Sequence, residues 1–314
     1  MSSLEAGARG LSAGDAPHMS PIDCMVRCHR VIDATSVYGA LDPERDRNSM
    51  NYSGTRIARS SPPACNDAWN GKDASPERKG VQENGAGSDK SLPIITVDIA
   101  DIPGGGQLHL LQCGTEFSIQ FGDDELMGSR DHESEKALAR LTQERLVQRD
   151  GNILIGGLGM GFTLGAALDA WSQSATITVA ELVPKIISWA NGPLMHLFGT
   201  NLTDPRVRIQ LADVFDVITH EKDRFDAILL DVDNGPDGFI RKSNDRLYST
   251  DGLEMAYAAL KPGGLLSIWS AYSDDAFAER LEQAGFCLDE ILLPAFSGSA
   301  ERWHNIWFAA KGGA

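Results

Sequence analysis

Several carboxylates in the second half of the chain stand at the ends of apolar runs. Glu181 closes ATITVAE, Asp213 follows RVRIQLA, and Asp231 and Asp233 follow FDAILL. A further run, NILI, leads into Gly156-Gly157-Leu158-Gly159-Met160-Gly161. Glycines at that density let backbone approach a ligand closely. Acids at strand ends can accept the hydroxyls of a ribose or the exocyclic amine of an adenine. They can also hold an amine and take its proton. Glu181 lies twenty positions beyond Gly161, the spacing of a ribose-binding acid in a nucleoside-binding βαβ unit. Alone, the glycine turn is only a tight strand–helix junction. Together with Glu181 and Asp213 it specifies an adenosine-type ligand.

Two classes of nucleoside enzyme fit such a turn. A nicotinamide enzyme places a diphosphate over it. An S-adenosyl sulfonium enzyme places a methionine or aminopropyl arm there. The acid after the third strand, the acid pair after the fourth and the absence of a large second domain favour the sulfonium class.

Elements that alternate from Asn152 onward must position these residues. NILIGG, ATITVAE, RVRIQLAD, FDAILLDVD and GGLLSIWSA read as strands. FTLGAALDAW, VPKIISWANGPLMHLF, VFDVITH, LYSTDGLEMAYAAL and DAFAERLEQAG read as the helices between them. FCLDEILLPA and WHNIWFAA close the chain as two strands, antiparallel at one edge because no helix joins them. Continuous apolar strands between amphipathic helices predict an α/β fold: a doubly wound, mostly parallel seven-stranded sheet. Upstream, PIITVDIADI and GQLHLLQCGTEFSIQF read as strands of a small N-terminal β-region over residues 93–133. A helix is expected from about Ser134, with Ala137, Leu138, Leu141 and Leu146 on its apolar face and Gly151 ending the run. Residues 134–314 form the expected nucleoside-binding catalytic domain. Residues 1–92 have linker composition and read as a low-complexity extension.

The 314 residues carry a formal net charge of −16. That argues against a nucleic-acid surface and suits a small cationic substrate. Five scattered cysteines point to a reducing compartment rather than a disulfide framework. Cys24, Cys28 and His29 are not followed by a second cluster at zinc spacing, so no metal is expected. There is no apolar run of membrane-spanning length and no signal-peptide core. The expectation is a cytoplasmic protein without membrane contact, and a homodimer is the commonest assembly for such a chain.

GNILIGGLGMGFTL, TVAELVPKIISWA, DPRVRIQLADVFDVI, FDAILLDVDNGP and LYSTDGLEMAYAALKPGGLLSIWS resemble the spermidine synthase (aminopropyltransferase) branch of the class I S-adenosylmethionine-dependent methyltransferase fold. The resemblance covers about residues 93–314. It implies a Rossmann-like core and transfer of an aminopropyl group from decarboxylated S-adenosylmethionine to an amine. It implies that Gly157, Gly159 and Gly161 form the cofactor loop, that Glu181 holds the ribose and that Asp213 holds the adenine. Asp231 takes the place of the catalytic aspartate and Asp233 that of the second one. The family reads Asp-Ser-x-Asp-Pro where this chain reads Asp231-Val-Asp233-Asn-Gly-Pro236, one residue closer between the acids. Tyr248 matches a substrate-pocket aromatic, and Glu135 an upstream acid near the amine. One departure bears on the cofactor. The family carries Gly-Gly-Gly-Asp-Gly in the first loop, and its aspartate contacts the aminopropyl amine and disfavours a carboxylated cofactor. Gly159 stands at that position.

Three functions follow: an amine alkyltransferase of the spermidine-synthase type, a methyltransferase using ordinary S-adenosylmethionine, and a nucleoside-binding member without turnover. Outside the acids, His132 and Glu133 stand just before the helix, where they either reach the site mouth or, the preferred reading, flank a cap made by Asp131 or Ser134. His304 is expected to pack at a strand edge. Met127, Met160, Trp269 and Trp303 read as core by default, with the pocket lining as the alternative.

Overall fold

A computed structural model describes residues 92–236, 244–295 and 302–313. The extension over residues 1–91, with its Cys24, Cys28 and His29 patch, lies outside the described residues.

Two sheets organise the chain. The first is an antiparallel meander of β1 (Ile94–Asp101), β2 (Gln107–Cys113), β3 (Glu116–Phe121) and β4 (Asp124–Gly128). The sequence suggested two strand segments here. GQLHLLQCGTEFSIQF divides because Gly114 turns at φ 61°, a left-handed conformation that glycine adopts without penalty. DELMG, given no strand from sequence, is β4. Leu108, Leu110, Phe117 and Ile119 turn one face of this meander into the main core.

The second sheet has the order β10-β11-β9-β8-β5-β6-β7. Its strands are β5 (Asn152–Gly156), β6 (Thr176–Glu181), β7 (Val207–Leu211), β8 (Phe225–Leu230), β9 (Leu260–Ser270), β10 (Cys287–Pro294) and β11 (Trp303–Ala310). The first five run parallel, while β10 and β11 form the expected antiparallel edge. The seven helices among the described residues are α1 (Glu133–Arg145), α2 (Phe162–Ala170), α3 (Pro184–Ala190), α4 (Met195–Phe198), α5 (Val214–Thr219), α6 (Thr250–Ala259) and α7 (Asp275–Gln283). Side chains of one strand divide between the two faces. Ile153 and Ile155 enter the cluster under α1 and the meander, whereas Leu154 enters the cluster under α6 and α7. All three are 0% exposed, and each such burial stabilises by about 1.5–3 kcal/mol.

Two helices differ from their sequence reading. VPKIISWANGPLMHLF is not one helix but α3 and α4, interrupted at Asn191-Gly192-Pro193. Proline lacks the N–H needed to continue the ladder and pushes its predecessor out of helical geometry. LYSTDGLEMAYAAL becomes helical only at Thr250, because the Ser249 Oγ accepts from the Gly252 N–H at 3.1 Å and caps the helix there. Tyr248 is thereby left in the approach to the helix. The cysteines also depart from expectation, since Cys113 and Cys287 are disulfide-bonded. Among the described residues no helix is long and apolar enough to cross a membrane.

Candidate active site

The parallel register brings the acids together. Gly156 pairs with Ala180 on one side and Leu230 on the other, and Glu181 pairs with Leu211. The carboxyl ends of β5, β6, β7 and β8 are therefore level. Backbone bonds continue just beyond them: Gly157 N–H to Ala180 O at 2.9 Å, Ala212 N–H to Glu181 O at 3.0 Å and Asp231 N–H to Gly156 O at 3.0 Å. A cavity opens over this end of the sheet, where ligands collect in open α/β folds. Gly157, Gly159, Glu181, Asp213, Asp231, Asp233 and Glu135 all line it. Gly161 instead starts α2 at φ 81° and faces Phe198, and neither it nor Tyr248 lines the cavity.

Glycine is required at 157 for two reasons. Its φ is 91°, and a Cβ there would stand 2.3 Å from the Asp231 carbonyl oxygen. The glycine turn is thus pressed against the strand end that carries Asp231.

On the nucleoside side, Glu181 is 6% exposed. Its Oε2 accepts from Leu158 N–H at 2.9 Å and its Oε1 from Val183 N–H at 2.7 Å. These bonds hold the carboxylate at the loop and leave lone pairs for a diol. Burial raises its pKa, against the pull of those N–H groups. Asp213 caps α5, its Oδ1 accepting from Phe215 N–H at 2.9 Å. Its Oδ2 receives Arg246 Nη2 at 2.8 Å, and the Arg246 guanidinium lies 4.4 Å from the Phe215 ring centre. Arg246 was not singled out from sequence. It precedes α6 and reaches Asp213 only in three dimensions.

On the other side, Thr163 Oγ1 donates to Asp231 Oδ2 at 2.5 Å. Glu135, 5% exposed, comes from the first turn of α1. Burial pushes both carboxyls above the ordinary range, and for Glu135 the charge of Asp231 adds to the effect. Burial and mutual repulsion make each favour its protonated form more than a free carboxyl does. Asp233 has φ 49°, a left-handed geometry aspartate tolerates better than most residues. Its loop is tied to β9 through Ala271 N–H to Asn234 O at 3.2 Å and Ser270 Oγ to Asn234 O at 3.3 Å. Tyr248 is 3% exposed and packs edge-on against Phe277 at 5.6 Å. Burial, with Asp233 and Asp231 adding to it, pushes its phenol well above its usual pKa. Its hydroxyl has no hydrogen-bond partner among the described residues.

Three residues differ from their sequence reading. The α1 N-cap is His132, without a side-chain cap bond, and its ring packs edge-on against Phe162 at 4.0 Å. Ser134 does not cap; its Oγ lies 2.6 Å from Glu135 Oε2 and 2.9 Å from His304 Nδ1. Met127 and Trp269 line the cavity, the alternative reading of these residues, and Met127 Sδ accepts from Met160 N–H at 3.1 Å. Trp303 is 45% exposed instead of lying in the core. Thr163 was also missed, although its place in the first turn after the glycine loop was a usable signal.

No protein-family model matches the chain. Among curated proteins, polyamine aminopropyltransferase 1 of Streptomyces coelicolor is 29% identical over 155 residues, covering 46% of this chain and 28% of that protein. The chain thus matches less than a third of that relative's length. Among solved structures, a spermidine synthase in complex with the transition-state analogue AdoDATO aligns with TM-score 0.58 at 19% identity, over 69% of this chain and 74% of the other. The spermidine synthase of Thermotoga maritima aligns with TM-score 0.57 at 18% identity, over 69% and 72%. The seven-stranded sheet, its antiparallel edge and the preceding meander are those of the spermidine-synthase form of the methyltransferase-like fold.

Proposed function

We propose that the chain is an aminopropyltransferase, moving the aminopropyl group of decarboxylated S-adenosylmethionine to a small cationic amine. The observation that carries this reading is the cavity's charge. Every ionisable side chain lining it is an acid: Glu135, Glu181, Asp213, Asp231 and Asp233. A sulfonium with an ammonium tail and an ammonium acceptor are both attracted there. The carboxylate of ordinary S-adenosylmethionine would be desolvated beside like charges, which is costly.

In this reading Glu181 accepts the ribose hydroxyls and Asp213 the adenine amine. Gly157 and Gly159 let the backbone close on the sulfonium arm. Asp231, held by Thr163, orients the acceptor amine toward the methylene carbon bonded to sulfur. As the nitrogen–carbon bond forms, the carbon–sulfur pair returns to sulfur and neutralises it. The cofactor is already activated, so alignment supplies much of the acceleration. The Asp231–Glu135 pair receives the amine proton. Asp233, which lines the cavity, holds the rest of the acceptor in this reading, and Tyr248 is buried outside the lining.

Methyl transfer on the same fold is the second reading, favoured by Gly159 in place of the family's aspartate. Incubation with each cofactor separately and a panel of diamines and monoamines separates the two. Methylthioadenosine, formed only from the decarboxylated cofactor, is the expected nucleoside. S-adenosylhomocysteine as the sole product would replace the first reading with the second.

A further inference from the structure

Aminopropyl transfer has a proton balance that the cavity must satisfy. An ammonium and a sulfonium enter. A secondary ammonium and a neutral thioether leave, so one proton is released per turnover. The Asp231–Glu135 pair receives that proton in a buried site and must lose it before the next cycle.

A chain of hydrogen-bonding groups leads away from Glu135. Ser134, 2% exposed, lies with its Oγ 2.6 Å from Glu135 Oε2 and 2.9 Å from His304 Nδ1. His304 enters from β11, opposite Leu293 of β10, and packs edge-on against Trp269 of β9 at 4.7 Å. Of the three residues, only His304 is not buried. A hydroxyl between a carboxyl and an imidazole can point either way. With Glu135 ionised, Ser134 donates to it and His304 donates to Ser134. With Glu135 protonated, both bonds reverse. Ser134 and His304 therefore do more than fill space between α1 and β11.

We propose that Ser134 and His304 form the exit path for the proton released by the transfer, starting at Glu135. The proposal rests on the aminopropyltransferase reading. The amine proton passes to the ionised carboxyl of the pair, and the pair's other proton moves from Glu135 to Ser134 Oγ. The Ser134 hydroxyl proton moves to His304 Nδ1, and the proton on Nε2 leaves to water. No group is oxidised or reduced, and each residue ends one tautomeric step from its starting state. Burial and Arg302 hold the imidazole down to about 4, against the smaller opposite effect of Asp131. His304 thus passes a proton on rather than storing it. Glu135 faces Asp231 across the cavity and feels Glu133 from its own helix. Both acids favour a protonated Glu135, the form that donates into the path.

Ser134 and His304 act through Glu135 and are positioning residues, so their test must separate turnover from binding. Ser134→Ala and His304→Ala are expected to lower kcat about tenfold or more. KM for both substrates and the melting temperature should stay close to the parent. Ser134→Thr, which keeps the hydroxyl, should retain most of kcat, and free imidazole should restore turnover to His304→Ala. Unchanged kcat in Ser134→Ala overturns the path, as does parallel loss of kcat and binding without imidazole rescue. A second readout needs no turnover. The ring-nitrogen NMR shifts of His304 should follow the titration of the Glu135–Asp231 pair, and should cease to follow it in Ser134→Ala. Unlinked shifts in a protein that makes methylthioadenosine overturn the path alone. No methylthioadenosine from the parent protein overturns the transfer reading, and the path's task with it.

Discussion

Met127 occupies the space that a side chain on Gly159 would need. A Cβ at Gly159 would stand 2.8 Å from Met127 Sδ and 2.9 Å from its methyl carbon. The thioether of β4 and the bare loop position therefore belong to one arrangement. Where the resembling synthases carry a loop aspartate, this chain has an apolar group delivered from the N-terminal meander. The sequence made Gly159 an argument for admitting a carboxylated cofactor. The structure fills the vacated position with Met127 and lines the same cavity with Glu135 and Asp231; in the proposed reading those two acids disfavour a carboxylate there.

Gly159→Asp alone should therefore fail to recreate the family's device. Its side chain meets the end of Met127, and Gly159 has φ 49°, a left-handed conformation that costs an L side chain about 1–2 kcal/mol. Cofactor binding should weaken along with stability. Gly159→Asp combined with Met127→Ala should relieve the collision and bind the decarboxylated cofactor more tightly than the single variant. Calorimetric titration of both proteins checks this, and equal affinity of the single variant and the parent would contradict it.

Asp231→Asn should lower kcat by about a hundredfold or more, while binding of methylthioadenosine changes little. Asparagine keeps the Thr163 bond but cannot accept the amine proton. Single-turnover kinetics beside product-binding titrations make the distinction, and a variant with near-parent kcat would remove Asp231 from the chemistry.

Asp213→Asn separates two tasks of one side chain. The amide oxygen can still cap α5 by accepting from Phe215. The lost ion pair with Arg246, which is 45% exposed, contributes little to stability. Its NH₂ would face the adenine amine, donor against donor. Melting should stay close to the parent while the cofactor Kd rises about tenfold, a loss on the scale of one hydrogen bond to a charged group.

Glu135 makes stability depend on pH in a direction opposite to that of most carboxylates. It binds its proton more tightly folded than unfolded, because burial and Asp231 oppose its charge. Below the unfolded value both states are protonated and there is no penalty. As pH rises the unfolded state ionises first, so stability falls until the folded group ionises as well. Thermal melting should therefore drop between about pH 4.5 and about pH 8, and Glu135→Gln should flatten that slope and raise the melting temperature at the alkaline end. A variant with the parent's slope would show that the acid is solvated.

The strands were legible because their apolar runs are continuous and their ends are marked by glycine or an acid. The same marks located Glu181, Asp213 and Asp231, since a parallel sheet with level strand ends turns sequence position directly into spatial position. Residues reaching the cavity from elsewhere were less visible. Met127 sits in a short strand whose DELMG sequence has no alternating pattern. Ser134 looked like a cap, and its two hydrogen bonds depend on β11 approaching α1. Arg246 pairs with Asp213 across 33 residues of chain, a contact that no local period encodes.

The central claim is tested most directly by competition. The protein is given equal concentrations of ordinary and decarboxylated S-adenosylmethionine with a mixture of amines, and the nucleoside products are separated by mass spectrometry. The account predicts methylthioadenosine, with an amine product heavier by one aminopropyl group. S-adenosylhomocysteine with a methylated product, and no methylthioadenosine, would contradict it.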